Sequence, residues 1–343
     1  MRNSDITVVF QGAFKPYTTQ GKESFLSNVR AVRRVLPGAK IIVSTWEGAE
    51  IPRGLGTSDI VFAKDPGGLA PLKLIDNKIN NVNRQIVSTS AGMAAVETAF
   101  AIKLRTDCYL EHAGFLDFYA EQLKRDKGHR RILVNCFFTL NPVIFERIPY
   151  HLSDWFQFGP TELLRAYWSA PLMSPQDARF YEFNPHPPDS TLFEKRFRSK
   201  LAAEQHICTH YARSLGYACP QFLNDRSPQV MKDFYRFIAE ETIVLDPWQA
   251  GLVFPKYTWV NSSLFQKINN LMYLDWLKIS GQVSHEDIAP WQAAAVMKRR
   301  ERLQRIAEYG FRHTTPLHPL IFEPSRQGNV VRRTAYHVLK LFG

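Results

Sequence analysis

Polar or charged side chains follow several apolar, β-branched runs of the chain, at the points where strands are expected to end. The residues concerned are Gln11-Gly12, Glu47, Asp65 and Arg105-Thr106-Asp107. The carboxyl ends of parallel strands meet at one edge of a sheet, and α/β proteins bind ligands outside that edge. The spacing therefore predicts one binding site, built from four segments that are far apart in the sequence.

Arg105 and Asp107 have suitable chemistry for a phosphorylated ligand. A carboxylate can hold a divalent cation that bridges a diphosphate, because hard cations prefer oxygen ligands. A guanidinium presents a fork of donors to a phosphate. The alternative is a solvated turn in which the two side chains form a surface ion pair. The spacing alone leaves both open.

Arg84 lies at the predicted start of a helix, in the string NNVNRQ over residues 80–85. The N-terminus of a helix attracts anions through its free N–H groups, and Arg84 would add a donor for a phosphate or carboxylate. Capping of the helix by Asn83 is the alternative, since Asn is a preferred N-cap residue. Capping would explain the asparagine but not the arginine.

Glu204 follows the basic string EKRFRSK over residues 194–200. The four cations could cradle an anionic acceptor, and Glu204 could then be the general base for a hydroxyl nucleophile. An ordinary charged helix face is the alternative. His206 and His210 lie four residues apart and share a helix face, but no Glu follows the first, as it does in H-E-x-x-H. We expect these histidines to pack rather than to bind zinc.

The first third of the chain alternates strand and helix patterns, which predicts βαβ units and a mostly parallel sheet. The expected strands are 6–10, 40–45, 59–63 and 101–104, and the expected helices are 23–36 and 83–100. The middle is mixed. It is expected to hold a strand over 131–138, a polar-aromatic loop or strand end over 151–159, an irregular proline-rich loop over 173–190 and a helix over 192–216. Basic amphipathic helices are predicted over 291–305 and 332–342.

Composition narrows the class of protein. The chain has 343 residues, 45% of them hydrophobic, and a net charge of +11, which favours polyanionic partners. Its four cysteines form no C-x-x-C pair, which is typical of reduced thiols in a cytosolic protein. No stretch reaches the ~18 apolar residues of a membrane span. The glycine-rich phosphate loops and the G-x-S-x-G string are absent, which disfavours dinucleotide dehydrogenases, P-loop kinases and α/β-hydrolases.

Several strings of the chain occur in an order that resembles the WavE lipopolysaccharide-synthesis family. They are Gln11-Gly12, STWEG (44–48), KDPG (64–67), NRQIVST (83–89), KLRTD (103–107), SDWFQFG (153–159) and Glu204-Gln205. The resemblance covers about residues 5–270. It implies an α/β fold with a GT-A-like, Rossmann-type nucleotide-binding sheet, and a glycosyltransferase that acts on bacterial surface polysaccharide or lipopolysaccharide.

In GT-A enzymes a D-x-D motif binds a metal ion and the diphosphate. The corresponding string here is Arg105-Thr106-Asp107, in which Arg replaces the first Asp. The resemblance therefore implies Asp107 as a ligand of Mn²⁺ or Mg²⁺, through an incomplete motif. Arg105 or Arg84 is the alternative counter-charge for the leaving diphosphate.

The resemblance also implies direct glycosyl transfer, in which an acceptor hydroxyl attacks the anomeric carbon of a nucleotide sugar. Glu204 is the first candidate base and Asp154 the second. The donor would be held by residues at the strand ends, namely Gln11, Gly12, Glu47, Asp65, Arg84, Arg105 and Asp107. Trp155 and Phe156 could stack on a sugar ring, although buried core aromatics are the commoner outcome.

The expected partners are a nucleotide-sugar donor and a saccharide or lipid-linked saccharide acceptor. Acceptors of that kind sit at the cytoplasmic face of the bacterial inner membrane, where the basic segments would keep the protein as a peripheral component. We expect a glycosyltransferase domain over residues 1–255, with a donor half to about 130 and an acceptor half beyond it. A basic, mainly helical extension is expected over 256–343.

Two alternatives remain open at this point. A nucleotidyl- or phosphotransferase acting on sugar phosphates would need a second carboxylate beside Asp107. A basic, non-catalytic nucleic-acid-binding protein would bind RNA or DNA in a salt-sensitive way. No recognisable nucleic-acid module occurs in the sequence, so we expect no nucleic-acid partner.

Overall fold

The computed structural model describes residues 1–14, 25–55, 59–74, 78–191 and 193–283, together with 302–306, 308–310, 313, 315–317, 330–331, 333–334 and 337. The strands are β1 (Ile6–Gln11), β2 (Lys40–Trp46), β3 (Asp59–Ala63), β4 (Phe100–Arg105), β5 (Tyr109–Leu110), β6 (Ile132–Asn135), β7 (Phe156–Pro160), β8 (Thr242–Leu245) and β9 (Leu252–Val253).

The α-helices vary from one turn to four. They are α1 (Phe25–Val35), α2 (Val82–Ala94), α3 (Gly114–Arg125), α4 (Thr161–Tyr167), α5 (Pro175–Ala178), α6 (Phe180–Phe183), α7 (Ala203–Ser214), α8 (Pro228–Glu241), α9 (Pro247–Ala250), α10 (Trp259–Ser262), α11 (Leu264–Asn269) and α12 (Tyr273–Ile279). Short 3₁₀ turns lie at Asn3–Asp5, Glu194–Arg196, Pro255–Tyr257 and Thr315–Leu317.

Seven strands form one sheet in the order β3-β2-β1-β4-β7-β6-β8, and β5 pairs with β9 in a small second sheet. Strands β1 to β4 run parallel to one another, and β6 runs parallel to β8. Within the seven-stranded sheet, β7 alone is antiparallel, to β4 on one side and to β6 on the other. The amino end of β7 therefore lies at the same edge as the carboxyl ends of the other six strands. We call this the C-terminal edge of the sheet.

Burial on both faces explains the composition of the central strands. All six residues of β1 are buried, as expected for a parallel strand covered by helices on both faces. Helix α2 packs closely on β1 and β2 because Gly92 has no side chain. A Cβ atom at Gly92 would lie 2.5 Å from the Val9 side chain and 2.9 Å from that of Ser44. The predicted α/β class and the mostly parallel sheet are confirmed.

A fully buried lysine joins β4 to the chain that leads into β7. The Lys103 ammonium donates a hydrogen bond to the Asp154 backbone carbonyl and lies 3.3 Å from the Asp154 carboxylate. It also lies 4.9 Å from the centroid of the Trp168 ring. Burial lowers the pKa of Lys103, and the Asp154 charge offsets only part of that shift. The pair fixes the position of Asp154 at the C-terminal edge.

Several predicted boundaries were wrong. The helix expected over 192–216 begins only at Ala203, and before it lie the 3₁₀ turn Glu194–Arg196 and a β-bridge from Phe197 to Lys73. The buried Glu194 carboxylate accepts hydrogen bonds from Arg147 and Asn224, which fix this turn against neighbouring segments. Other corrections concern lengths: α2 ends at Ala94, β6 covers Ile132–Asn135, and the proline-rich segment 173–190 contains the one-turn helices α5 and α6.

Residues beyond 255 also contribute to the main core. The Trp276 indole, on α12, is fully buried and donates to the carbonyls of Ile238 and Thr242. The predicted division at residue 255 stays a prediction. The basic helices expected over 291–305 and 332–342 fall largely outside the described residues. In the part of the chain that is described, no helix is both long enough and apolar enough to cross a membrane.

Replacing Asp154 by Ala should destabilise the protein strongly, because it leaves Lys103 buried without a counter-charge. We expect the free energy of unfolding in urea to fall by about 3–5 kcal/mol. Glu162→Ala is the control, since Glu162 pairs with Arg130 on the surface and should cost at most about 1 kcal/mol. The double variant Lys103→Met/Asp154→Ala should recover part of the loss. Equal losses in Asp154→Ala and Glu162→Ala would show that the buried pair is unimportant.

Candidate functional site

A cluster of charged side chains lies at the C-terminal edge, where β4 ends beside the start of β7. The Arg105 guanidinium forms two hydrogen bonds with Asp107, of 2.9 and 2.7 Å. A third guanidinium nitrogen lies 3.8 Å from the Asp154 carboxylate. Burial alone would raise the pKa of Asp107, but the charge and hydrogen bonds of Arg105 outweigh it and hold the pKa below the usual range. Arg105 is therefore a fixed cation with two carboxylate neighbours.

Aromatic rings support this cation. The guanidinium carbon of Arg105 lies 5.9 Å from the Trp155 ring centroid and 5.7 Å from that of Tyr257, and those two rings stack 4.8 Å apart. Trp155 and Phe156 are buried, so both are core aromatics, the commoner of the two outcomes considered from the sequence. Tyr257 is half-exposed and presents an aromatic surface beside Arg105 that sequence reasoning missed.

Lys256 adds an exposed positive charge to the same cluster. Its ammonium lies 5.2 Å from the Tyr257 ring centroid. Its charge contributes to the low pKa of Asp107, after the larger effect of Arg105. Because Lys256 and Tyr257 come from the chain after β9, the site includes residues from well beyond the first four strands. Their only sequence signal was a basic residue next to an aromatic one.

Glu204, at the start of α7, is held by a histidine. The His151 Nε2 atom lies 3.2 Å from a carboxylate oxygen of Glu204, and His151 Nδ1 lies 2.8 Å from the Phe138 carbonyl oxygen. Burial would raise the pKa of Glu204, but the charge and hydrogen bond of His151 lower it, with a smaller contribution from Arg105. The ring of Phe138, whose carbonyl contacts His151, packs 4.9 Å from that of Trp155, against which Arg105 lies. These contacts connect Glu204 to the cluster of Arg105, Asp107 and Asp154.

Asp65 and Arg84 form a second pair at the same edge, between the end of β3 and the start of α2. Two hydrogen bonds of 2.8 Å join the Arg84 guanidinium to the Asp65 carboxylate. Arg84 also donates to the Asn81 side chain, at 2.9 Å. The hydrogen bond from Arg84 is the main reason that the pKa of Asp65 is low. These two residues lie at the predicted edge as a neutral pair.

The remaining predicted strand-end residues differ in their exposure. Gln11 is buried and its amide donates to the Ser88 hydroxyl at 2.9 Å, so it holds α2 against β1. Gly12 has a φ of +129°, and a Cβ there would lie 2.8 Å from the Thr106 hydroxyl. Glu47 is exposed just after β2. Donor binding by these residues stays a prediction.

Capping of α2 by Asn83 is wrong. The helix begins at Val82, whose N–H donates to the Asn80 side chain at 3.0 Å. Asn83 is buried and exchanges two hydrogen bonds with the backbone of Met173, of 3.0 and 2.7 Å. The asparagine therefore ties α2 to the segment that precedes α5, which sequence spacing could not reveal.

The side chains around Asp107 do not provide enough oxygen ligands to hold a divalent cation without a bound substrate. Both oxygens of Asp107 accept hydrogen bonds from Arg105, and among the described residues no group of three or more His, Cys, Asp or Glu side chains could hold a metal ion. Binding of Mn²⁺ or Mg²⁺ stays a prediction, and no step below depends on it. His206 Nε2 lies 2.8 Å from the Pro171 carbonyl oxygen, an arrangement that packs α7.

Solved structures show weak likenesses to this chain. A 2-C-methyl-D-erythritol 4-phosphate cytidylyltransferase from Thermus thermophilus is 14% identical over 66% of this chain and 96% of its own, with a TM-score of 0.33. A CMP:2-keto-3-deoxy-manno-octonic acid synthetase complexed with CTP is 12% identical over 52% and 83%, with a TM-score of 0.30. An active-site mutant of LgtC is 9% identical over 58% and 85%, with a TM-score of 0.29. Likenesses at this level say nothing about activity.

No curated protein matches the sequence. A family model described as WavE lipopolysaccharide synthesis matches residues 6–307. The match covers the Arg105–Asp107 and Arg84–Asp65 pairs, the His151–Glu204 contact and Tyr257, and it extends beyond residue 270, where the resemblance expected from the sequence ends. Membership indicates a role in lipopolysaccharide biosynthesis. The chain belongs to the WavE lipopolysaccharide synthesis family.

Proposed function

We propose that the protein is a glycosyltransferase that moves a sugar from a nucleotide-sugar donor to a hydroxyl of a lipopolysaccharide or other bacterial surface polysaccharide. One observation carries the proposal. The fixed cation Arg105 lies beside the Asp154 carboxylate at the C-terminal edge of the sheet, and contacts through Trp155, Phe138 and His151 connect it to the Glu204 carboxylate. Family membership indicates a role in lipopolysaccharide biosynthesis, and this group of charged residues supports glycosyl transfer as the reaction.

Arg105 and Lys256 would stabilise the departing nucleoside diphosphate. In the reaction the acceptor oxygen bonds to the anomeric carbon as the bond from that carbon to the diphosphate breaks, and the diphosphate leaves with the electron pair. Preorganised positive charge lowers the barrier because it needs no reorganisation as negative charge develops. Arg105 is suited to this because Asp107 and two aromatic rings hold it in place.

Glu204 is the better of the two candidate bases. His151 holds one oxygen of its carboxylate, and the other oxygen would accept the proton of the acceptor hydroxyl. Asp154 lies against two cations, Lys103 and Arg105, in a buried position. Protonation of Asp154 would leave those charges uncompensated, so we assign it to holding Arg105.

The nucleoside would lie along the ends of β1 to β3. Glu47 and Asp65 are exposed acceptors there, suited to ribose hydroxyls, and Arg84 offers a further cation. Gln11 and Gly12 would shape the floor rather than reach the ligand, since Gln11 binds Ser88 and Gly12 lies against Thr106.

A nucleotidyl- or phosphotransferase acting on sugar phosphates is the second candidate. It requires a second carboxylate near Asp107, and Asp154 provides one, because Arg105 contacts both side chains. The two candidates release different products. Glycosyl transfer frees a nucleoside phosphate, whereas nucleotidyl transfer to a sugar phosphate frees pyrophosphate. Nothing in the family assignment favours nucleic-acid binding.

We also propose that the protein works as a peripheral protein at the cytoplasmic face of the inner membrane. The support is its net charge of +11 and the basic strings near residues 298–305 and 332–340. Such segments are attracted to anionic lipid headgroups. A lipid-linked saccharide acceptor would then be within reach of the site.

Removing the charge of Arg105 should abolish binding of the donor. We expect one family of nucleotide sugars to raise the melting temperature of the wild type by mass action, and Arg105→Gln to lose that shift relative to its own ligand-free melting temperature. Arg130→Gln is the control, because Arg130 lies before β6, at the opposite edge of the sheet. The measurement is repeated with Mn²⁺. An unchanged donor-induced rise in melting temperature in Arg105→Gln would contradict this role of Arg105. A rise in the melting temperature of the wild type with RNA, and with no nucleotide sugar, would favour nucleic-acid binding.

Glu204→Gln should lose transfer but keep donor binding. Loss of a general base costs about 10²–10⁴-fold in rate, whereas the diphosphate contacts of the donor remain. The measurements are the rate of nucleoside diphosphate release with the acceptor present and the donor-induced thermal shift. Glu162→Gln, on the surface, should match the wild type in both. Unchanged turnover in Glu204→Gln would remove Glu204 as the base, and release of pyrophosphate from a nucleoside triphosphate and a sugar phosphate would favour the second candidate.

The purified protein should bind anionic vesicles and release them as salt rises. We expect co-sedimentation with vesicles that contain phosphatidylglycerol, little with pure phosphatidylcholine, and a loss of binding as the Debye length shortens. A protein that ignores anionic vesicles at moderate salt would contradict membrane attachment.

A further inference from the structure

The ring of His151 is fixed between a carbonyl oxygen and a carboxylate. We infer that His151 and Glu204 share one proton and act as a unit, in which His151 is a positioning residue that orients the Glu204 carboxylate toward the acceptor hydroxyl. The inference rests on the proposed function for its catalytic meaning. The shared proton itself can be measured without any substrate.

Hydrogen-bond chemistry fixes the tautomer of the ring. His151 Nδ1 lies 2.8 Å from the Phe138 carbonyl oxygen, and because a carbonyl only accepts, Nδ1 carries a proton. A neutral ring would then turn the lone pair of Nε2 toward Glu204, 3.2 Å away. Two lone pairs at that distance repel, so the contact requires a proton between the ring and the carboxylate. The pair therefore holds one proton between its two members, in addition to the proton on Nδ1.

The backbone around Phe138 is built to hold the carbonyl in this position. Phe138 has a φ of +68°, a left-handed conformation that a bulky residue rarely adopts. Its N–H donates to the buried Asn270 side chain at 2.9 Å, and its ring packs 4.9 Å from that of Trp155. Strained backbone of this kind persists only where its surroundings over-determine it. Here the strained backbone places the Phe138 carbonyl oxygen where it accepts a hydrogen bond from His151 Nδ1.

Other charges face the pair from neighbouring segments. Glu146 adds a negative charge near His151, although Lys73 holds its carboxylate at 2.8 Å. The positive charge of Arg105, at the end of β4, helps to lower the pKa of Glu204. The negative charge of Glu204 helps to raise the pKa of the buried Tyr167 hydroxyl. Among the charged groups around the pair, the dominant partner of each member is the other.

The pKa shifts have opposite signs, as expected for such a pair. Burial would lower the pKa of His151, but the charge and hydrogen bond of Glu204 raise it above 6.5. The pKa of Glu204 is shifted below 4.5 by His151 in spite of its burial. The ion pair therefore exists between these limits: it is lost as pH falls through the pKa of Glu204 and as pH rises through that of His151.

During transfer the two members keep separate roles. The acceptor O–H bond breaks, its proton goes to the Glu204 oxygen that does not face His151, and the O–H electron pair forms the new bond to the anomeric carbon. The proton on His151 Nδ1 and the proton that His151 shares with Glu204 both stay in place throughout. His151 fixes the orientation of the carboxylate and keeps it ionised in a partly buried place, where desolvation alone would favour the protonated acid.

Ring-nitrogen NMR on the full chain labelled with ¹⁵N-histidine tests the shared proton. In the wild type, His151 should titrate above pH 6.5 and carry its proton on Nδ1 when neutral. In Glu204→Gln its pKa should fall, because burial remains while the negative charge is gone. His206 is the internal control: it lies on α7, binds the Pro171 carbonyl, and has a pKa that burial keeps below 6.5 in both proteins. A wild-type His151 that titrates at or below that value, or one unmoved by Glu204→Gln, overturns the inference.

The pH profile of kcat/KM tests the positioning role in the active protein. His151→Gln keeps a donor near Glu204 without a charge. Its acid limb should move to higher pH, because burial of Glu204 is no longer offset, and its basic limb should disappear. A uniform loss of activity with the same limbs would mean that His151 is only structural. If no nucleotide sugar is turned over while the NMR result holds, the proposed function fails and the proton-sharing pair stands.

Discussion

Buried charge at the junction of β4 and β7 is the constraint on which the site depends. Lys103 lies inside the sheet, and a buried ammonium is tolerated only beside a counter-charge. That counter-charge, Asp154, precedes β7 and reaches Lys103 only because β7 runs antiparallel between β4 and β6. The same placement brings Asp154 to Arg105, two residues further along β4. The antiparallel place of β7 therefore positions one carboxylate that neutralises Lys103 and contacts Arg105, the main cation of the site.

Internal carboxylates pair with several of the cations at and near the C-terminal edge of the sheet. Arg105 binds Asp107, Arg84 binds Asp65 and Lys73 binds Glu146, each through hydrogen bonds of 2.7–2.9 Å. Each guanidinium is therefore held by an internal carboxylate before any ligand binds. An anionic ligand would meet cations whose positions are already fixed, which is the arrangement that the proposed function requires.

Local patterns in the sequence predict the strands β1 to β4 and the polar residues at their ends, because a strand and the residues at its end are consecutive in the chain. Pairing between distant segments leaves no such local pattern. Lys103 follows the pattern of a strand but gives no sign that it is buried. For β7 the pattern predicts only a loop or strand end, because its antiparallel place depends on distant partners. The contact between His151 and Glu204 joins residues that are far apart in the chain, and it depends on the Phe138 carbonyl that orients the His151 ring. The spacing of residues in the sequence cannot predict such a contact.

The network that holds the sheet also separates the roles of the two candidate bases. A proton on Asp154 would remove the counter-charge of Lys103, which is wholly buried, and weaken the hold on Arg105. Protonation of Asp154 would therefore lower the stability of the folded state, because an unpaired buried charge is among the most destabilising defects. A proton on Glu204 leaves an imidazolium whose Nδ1 still has its carbonyl partner. Proton transfer during a reaction is therefore compatible with the fold at Glu204 and not at Asp154.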